Sequence, residues 1–185
     1  MKFIFIMCIS GLFAFGVCLI AEQTTGRLQT NVLSLDMGTP MDEPFLGFGW
    51  SKAEIHSERY FRWVKHLEAE VSFDMDELID MELSIIAAPL YIKGRRQKIG
   101  VYMNNHFIAE WTCPEDPNFK QYQTNVPARF CKKEKNCLIL RMGYRKQQKP
   151  DPRKLALAVD KIVLDKVRST KPYKTKQDHD VRIYP

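Results

Sequence analysis

Short runs of alternating apolar and polar residues dominate the chain from Leu67 onward, and turn-forming residues separate them. Leu67, Ala69, Val71 and Phe73 alternate with Glu68, Glu70, Ser72 and Asp74. A period of two puts successive side chains on opposite faces, which is the pattern of a half-buried strand. Met81, Leu83, Ile85 and Ala87 repeat it until Pro89. Ile99, Val101 and Met103 form a further inward set, with Gly100 and Tyr102 outward. Asn104-Asn105 predicts a hairpin turn, because asparagine tolerates positive φ, and the returning strand would put Phe107, Ala109 and Trp111 on one face. Tyr122–Val126 and the set Leu138, Leu140, Met142 read as further strands. In the last segment, Leu155 to Val167, Leu155, Leu157 and Val159 are out of phase with Ile162 and Leu164, so a β-bulge is expected near Asp160-Lys161. Roughly eight short strands separated by turns point to an all-β antiparallel sandwich of the jelly-roll type.

The first 31 residues differ in character. Lys2 precedes an apolar run from Phe3 to Ala21, interrupted only by Ser10, Gly11 and Gly16. A run of about 19 residues exceeds a usual signal-peptide core of about 7–15 and reaches the length of a membrane-spanning helix, about 17–25. Leu19-Ile20-Ala21 is a poor cleavage site, and Phe15-Gly16-Val17-Cys18 matches a lipoprotein box only weakly. The segment is read as an apolar anchor or signal helix, with the amino terminus inside and the domain outside the cytoplasm. The expected organisation is a leader over 1–21, a polar tether over 22–31, the sandwich over 32–167 and a basic tail over 168–185. Val32 to Met37 should form the first strand. Met41 to Tyr60 contains Pro44, Gly47 and Gly49 without a sustained period and is read as a long loop, with one helical turn near Lys52–His56.

At 185 residues, 45% hydrophobic and 27% charged, the chain suits one globular domain. Part of its net charge of +6 sits in the tail. A second basic stretch holds Arg141, Arg145, Lys146, Lys149, Arg153 and Lys154 around Tyr144. It lacks the interleaved aromatics of a single-strand binder, and export also argues against nucleic acid. Contact with acidic glycan or membrane surface is the functional alternative to a plain solvated loop. Three cysteines fall in the domain. Cys131 and Cys137 flank a polar loop that a disulfide could close, and Cys113 could pair with either. A zinc site lacks ligand spacing.

Enzyme signatures such as GxSxG, HExxH and a Walker loop are absent. Leu46-Gly47-Phe48-Gly49-Trp50 contains a GxG but no following helix. Glu68 and Glu70 read as a solvated strand face rather than a hydrolytic pair. The aromatic residues are the better lead, since sugars offer apolar C–H faces to tryptophan and tyrosine. Trp50, in the long loop, is the first candidate for a binding platform, against the alternative of a lid over one end of the sandwich. Phe61 and Trp63 share a strand face and are assigned to the core, as is Trp111. Arg59 and Arg62 carry planar donor forks suited to an anionic sugar. Ion pairs with Glu54, Glu58 or Glu68 are the structural alternative.

The order Ser34-Leu35-Asp36-Met37-Gly38-Thr39-Pro40, then Pro44-Phe45-Leu46-Gly47-Phe48-Gly49-Trp50, then Glu58-Arg59-Tyr60-Phe61-Arg62-Trp63, followed by the alternating stretches, resembles a known domain type. It is similar to the extracytoplasmic β-sandwich modules that accompany membrane glycosyltransferases, a branch of the galactose-binding-like class. The resemblance implies a non-catalytic module that binds or positions a glycan or lipid-linked sugar in the cell envelope, beside a glycosyltransferase or another protein. It implies that Gly49, Trp50, Glu58, Arg62 and Trp63 share one neighbourhood. It also implies a structural calcium near the first and last strands, with Asp36 and Asp160 as oxygen donors; otherwise no cofactor is expected. A protein-interaction module, docking by its loops or a sheet face, is the alternative function.

Overall fold

In this computed structural model, residues 33–167 are described. The leader, the tether and the basic tail lie outside the described residues, and so does the expected membrane contact of residues 3–21. No helix among the described residues is long and apolar enough to cross a membrane. The strands are β1 (Leu33–Asp36), β2 (Trp50–His56), β3 (Arg59–Val64), β4 (Glu68–Phe73), β5 (Met81–Pro89), β6 (Lys98–Met103), β7 (His106–Thr112), β8 (Lys120–Val126), β9 (Asn136–Met142), β10 (Lys146–Gln147), β11 (Lys154–Leu155) and β12 (Leu157–Lys166).

One sheet has the order β2-β3-β12-β5-β8, with β1 also paired to β12, and the other has the order β4-β9-β6-β7. All pairings between named strands are antiparallel. Their inner faces enclose a single main core that includes Leu33, Phe73, Met81, Leu83, Ile99, Leu138, Leu140, Leu157 and Ile162. The alternation of small runs therefore does what it must: each strand gives one side chain in two to the interior.

The central strand β12 contains the expected bulge. Its pairing with β5 shifts register between Val159 and Lys161. Leu157 and Val159 before it, and Ile162 and Leu164 after it, are all fully buried. The inserted Asp160 lets one strand keep its apolar side chains inward across a break of phase. Asn104 and Asn105 form the β6–β7 turn with φ of 50° and 69°.

Three readings are corrected. The stretch near Lys52–His56 is strand, not a helical turn, and Met41–Tyr60 is not one long loop. His56 pairs with Arg59 across a two-residue turn in which Ser57 and Glu58 both have positive φ. A register shift between Trp50 and Ala53 breaks the period that would have marked β2 as strand. In β7, a shift between Val101 and Tyr102 turns Phe107 outward, 57% exposed, while Ile108 packs on the core. Third, Cys113, Cys131 and Cys137 are free thiols, so the Cys131–Cys137 bridge is not formed. Cys131 faces the core, whereas Cys137 follows the inward Asn136 and therefore points to the other face of β9. Asn136 closes the loop instead: its Oδ1 accepts from Lys132 N at 2.8 Å and its Nδ2 donates to Lys132 O at 2.6 Å. Burial pushes all three thiols up.

The segment before β2 crosses from one sheet to the other at the end of the sandwich. Gly47 N donates to Glu70 O at 3.0 Å, and Glu70 N donates to Phe48 O at 2.9 Å. Gly49 then runs against β4 so closely that a Cβ would lie 2.1 Å from the Glu68 carbonyl oxygen, and its φ is +103°. Gly94 has φ of +74° but open space around it. Gly49→Ala should therefore lower stability by about 2–4 kcal/mol, from strain plus overpacking. Gly94→Ala should cost only about 1 kcal/mol, from the backbone conformation alone. Urea unfolding of the two variants checks this difference, and equal costs would contradict the close approach.

Candidate functional site

The β3 register separates its side chains into two environments. Val64 lies opposite Leu157 and Trp50, and Arg62 opposite Val159, all on the inner side. Phe61 and Trp63 therefore point outward, away from the main core. Trp63 lies opposite Ala158, which lies opposite Ala88 on β5. Phe61, Ala88 and Ala158 form a second buried cluster, with Trp63 and Phe119 packed against it. The two alanines leave a depression on the sheet surface that the aromatic rings border. Phe61 meets Trp63 edge-on at 5.9 Å between centroids and Phe119 at 6.0 Å.

This depression is the floor of an open groove of about 720 Å³. Ile55 and His56 of β2 flank it on one side, and Tyr91 and Pro117 stand on the other. The wall formed by Glu54, Asp151 and Arg153 is an ion-paired network. Arg153 Nη2 binds Asp151 Oδ2 at 2.7 Å and Glu54 Oε2 at 3.3 Å, and Arg153 Nη1 also binds Glu54. Hydrogen bonds from Arg153 hold the Asp151 carboxyl below the usual carboxylate range. The network ties the loop between β10 and β11 to the β2–β3 hairpin. Ser51, in the β2 irregularity, accepts the Trp63 backbone N–H at 3.0 Å and so fixes the strand carrying the indole.

The residues singled out from sequence divide. Trp63 lines the groove, half-buried. Its pairing with Phe61 on one face is as expected, but the face is the outer one. Arg59 stands at the groove's edge, its guanidinium 4.6 Å from the Phe119 ring centroid and its Nη1 3.0 Å from Asp160 Oδ2. Glu58 sits exposed at the tip of the β2–β3 turn. Trp50 is no platform: it is only 7% exposed, part of the main core, and its Nε1 donates to Glu70 O at 2.7 Å. It closes one end of the sandwich.

Arg62 is also inside, 4% exposed. Its Nε and Nη2 donate to Asp42 Oδ2 and Oδ1, both at 2.8 Å, its Nη2 to Glu43 Oε1 at 2.7 Å and its Nη1 to Ser51 O at 3.1 Å. Burial works against the Arg62 charge, but the hydrogen bonds to Asp42 and Glu43 outweigh it and raise its pKa. Four of its five N–H donors serve the fold rather than a ligand.

Asp36 and Asp160 come together where β1 meets β12. Burial pushes the Asp160 carboxyl up, and Asp36 adds to this while Arg59 opposes it. With one of the two already neutralised by Arg59, they do not provide the six to eight oxygens a calcium ion takes. Among the described residues, no group of three or more His, Cys, Asp or Glu could hold a metal.

Sequence reasoning missed Phe119, Tyr91 and Asp151, and it named Glu54 and Arg153 without bringing them together. A signal for the floor was present. Ile85 to Leu90 and Leu155 to Val159 are unbroken apolar runs, and such runs mark strands covered on both faces. The walls come from distant loops, and no local pattern announces them.

No protein-family model and no curated protein matches the sequence. Among solved structures, the fold is similar to carbohydrate-binding modules. The C-terminal CBM6 of LamC, a laminarinase from Zobellia galactanivorans, aligns with 74% of this chain and 100% of its own at 11% identity and a TM-score of 0.46. The CBM36-1 domain of a multidomain xylanase from the hindgut metagenome of Trinervitermes trinervoides aligns with 75% of this chain and 99% of its own, at 6% identity and a TM-score of 0.47. CBM35 from Paenibacillus barcinonensis gives 72% and 96%, at 7% identity and a TM-score of 0.41. Likeness at this level transfers neither ligand nor site residues to this chain.

Because Arg62 and Asp42 are both buried, removing Asp42 takes away two of the guanidinium's hydrogen bonds and leaves it only the exposed Glu43 carboxylate as a counter-charge. Asp42→Ala should destabilise the protein by about 3–5 kcal/mol, and the apolar double replacement Asp42→Leu/Arg62→Met should recover much of that loss. Thermal and urea unfolding of the two variants test this; a neutral Asp42→Ala would remove Arg62 from its structural role.

Proposed function

We propose that this protein is a non-catalytic glycan-binding module whose ligand lies in the groove on the outer face of the β3-β12-β5 sheet. The observation that carries the reading is the floor: Phe61, Trp63 and Phe119 gathered around Ala88 and Ala158 in an open groove. A pyranose ring presents C–H groups to an aromatic face and hydroxyls to the rim, and this site offers both environments. His56, Gln148 and Lys149 stand at the rim as hydrogen-bonding partners. The open shape admits an internal stretch of a polymer as well as a chain end.

A binding role fits the carboxylates better than catalysis does. Glu54 and Asp151 both engage Arg153. A hydrolase of the two-carboxylate type needs one protonated acid, whereas Arg153 lowers the Asp151 pKa. In our reading the module works outside the cytoplasm, tethered or exported by the apolar Phe3–Ala21 segment. There it holds a glycan or lipid-linked sugar for a partner glycosyltransferase of the envelope.

Titration of the full chain with a broad glycan panel, followed through its tryptophan indole signals, tests the proposal. A saturable shift should appear at Trp63 and not at the buried Trp50. Trp63→Ala should weaken binding at least about tenfold in a protein that still unfolds cooperatively, at a midpoint lowered by the packing lost against Phe61 and Ala158. Silence at Trp63 across neutral and charged glycans would sink the reading and turn the search toward protein partners.

A further inference from the structure

The groove does not end at its aromatic floor. Beyond Leu90 and Tyr91 it continues into a smaller cleft of about 260 Å³, and Leu90, Tyr91, Gln148 and Lys149 line both. The cleft also takes in Ile92, Lys146 and Gln147. No carboxylate is among its lining residues, in contrast to the Glu54–Arg153–Asp151 wall of the groove itself.

Several cations among the described residues are ion-paired. Arg59 is paired with Asp160, Arg62 with Asp42 and Glu43, Lys98 with Glu110, Arg141 with Glu68 and Arg153 with Glu54 and Asp151. Arg95 lies over the Tyr144 ring, its guanidinium 4.4 Å from the centroid. Lys146 and Lys149 are exposed and have no ion-pair partner among the described residues. Lys146 opens β10 and Lys149 lies in the loop after it, and the pairing of Lys146 with Leu155 and Gln147 with Lys154 fixes the base of this hairpin.

We infer that the ligand of this groove is an anionic glycan, with a carboxylate or sulfate group seated in the cleft between Lys146 and Lys149 while a neighbouring ring stacks at Trp63. The inference rests on the glycan-binding reading and names the class of glycan. Two ammonium groups that no carboxylate among the described residues engages in an ion pair favour a fixed negative charge and form charge-assisted hydrogen bonds to its oxygens. The amides of Gln147 and Gln148 both donate and accept, which suits hydroxyls flanking the charged substituent. The ion-paired groove wall and the cationic cleft would set the direction in which the polymer lies.

The test uses the full chain and two matched probe pairs: an oligogalacturonide against its methyl ester, for carboxylate, and a sulfated oligodextran against the unsulfated one, for sulfate. The charged member of at least one pair should bind roughly tenfold tighter at low salt, with the preference shrinking as salt screens it. The double variant Lys146→Gln/Lys149→Gln should abolish the difference in affinity between the charged member and its neutral partner, at an unchanged unfolding midpoint. Equal binding within both pairs, or a charge preference that survives the double variant, overturns the anionic assignment; the groove reading then stands if Trp63→Ala still weakens binding. A charge preference that depends on the lysines but ignores Trp63→Ala overturns both. No binding by any probe overturns the anionic assignment.

Discussion

The buried ion pair between Arg62 and Asp42 sets the geometry on which the groove depends. β3 has two jobs at once, because its inner side chains close the sandwich and its outer ones form the groove floor. Arg62 lies between the outward Phe61 and Trp63, and it is locked on the inner side by two hydrogen bonds to Asp42, a third to Glu43 and a fourth to the Ser51 carbonyl. A guanidinium held in this fork has little rotational freedom. The strand that carries it cannot twist without breaking the pair, and so Phe61 and Trp63 keep their outward orientation. A buried pair of this kind is poor evidence for stability in itself. Its value here is positional: it joins the segment before β2 to the middle of β3, and that segment also carries Gly49 against the Glu68 carbonyl.

The sheet has two apolar faces in its middle and only one at its edges. β12 shows this directly, since Leu157, Ala158 and Val159 are all buried although only alternate residues can face the main core. The outward Ala158 is covered by Phe61 and Trp63, and the outward Ala88 lies beside it. Beyond the bulge the outer positions of the same strand, Lys161, Val163 and Asp165, are no longer buried, and Asp160 is engaged by Arg59. The apolar outer patch is therefore confined to the stretch that the β10–β11 hairpin and the loop of Pro117 and Phe119 overhang. Small residues on the strands and large ones at the margin make a depression where an all-large pattern would make a ridge.

Much of the fold was legible because it rests on periodicity. The inward sets of β4, β5, β6 and β9 follow the alternation of the sequence, and the phase break in β12 predicted its bulge. The failures have a common cause, which is that local irregularity hides strand. The Trp50–Ala53 shift erased the period of β2, and the bulge in β7 reversed Phe107. The candidate site was less legible. Trp63 and Arg59 were found as residue types, but Trp50 and Arg62 proved to be internal, since only the three-dimensional register tells an inward from an outward position on β3. The expected disulfide failed for the same reason: Cys131 and Cys137 are close in sequence but belong to opposite faces. Phe119, Arg153 and Glu54 meet at the groove across long sequence separations, which no spacing rule within one element can express.

Placing the candidate site on a sheet face rather than on loop tips has a physical consequence. Phe61, Trp63, Ala88 and Ala158 sit on three hydrogen-bonded strands, so the ring planes of Phe61 and Trp63 are fixed before a ligand arrives, and binding loses little side-chain entropy there. The walls are less constrained. The loop between β10 and β11 is held across the groove chiefly by Arg153, an exposed guanidinium bridging two half-buried carboxylates, and ion pairs open to solvent contribute weakly and respond to salt. A rigid floor with a salt-sensitive wall separates two functions: the aromatic face supplies affinity that ionic strength barely touches, while the charged rim and the lysine cleft beyond it supply selection that ionic strength can weaken. On this division, raising the salt should erode discrimination among glycans before it erodes their binding.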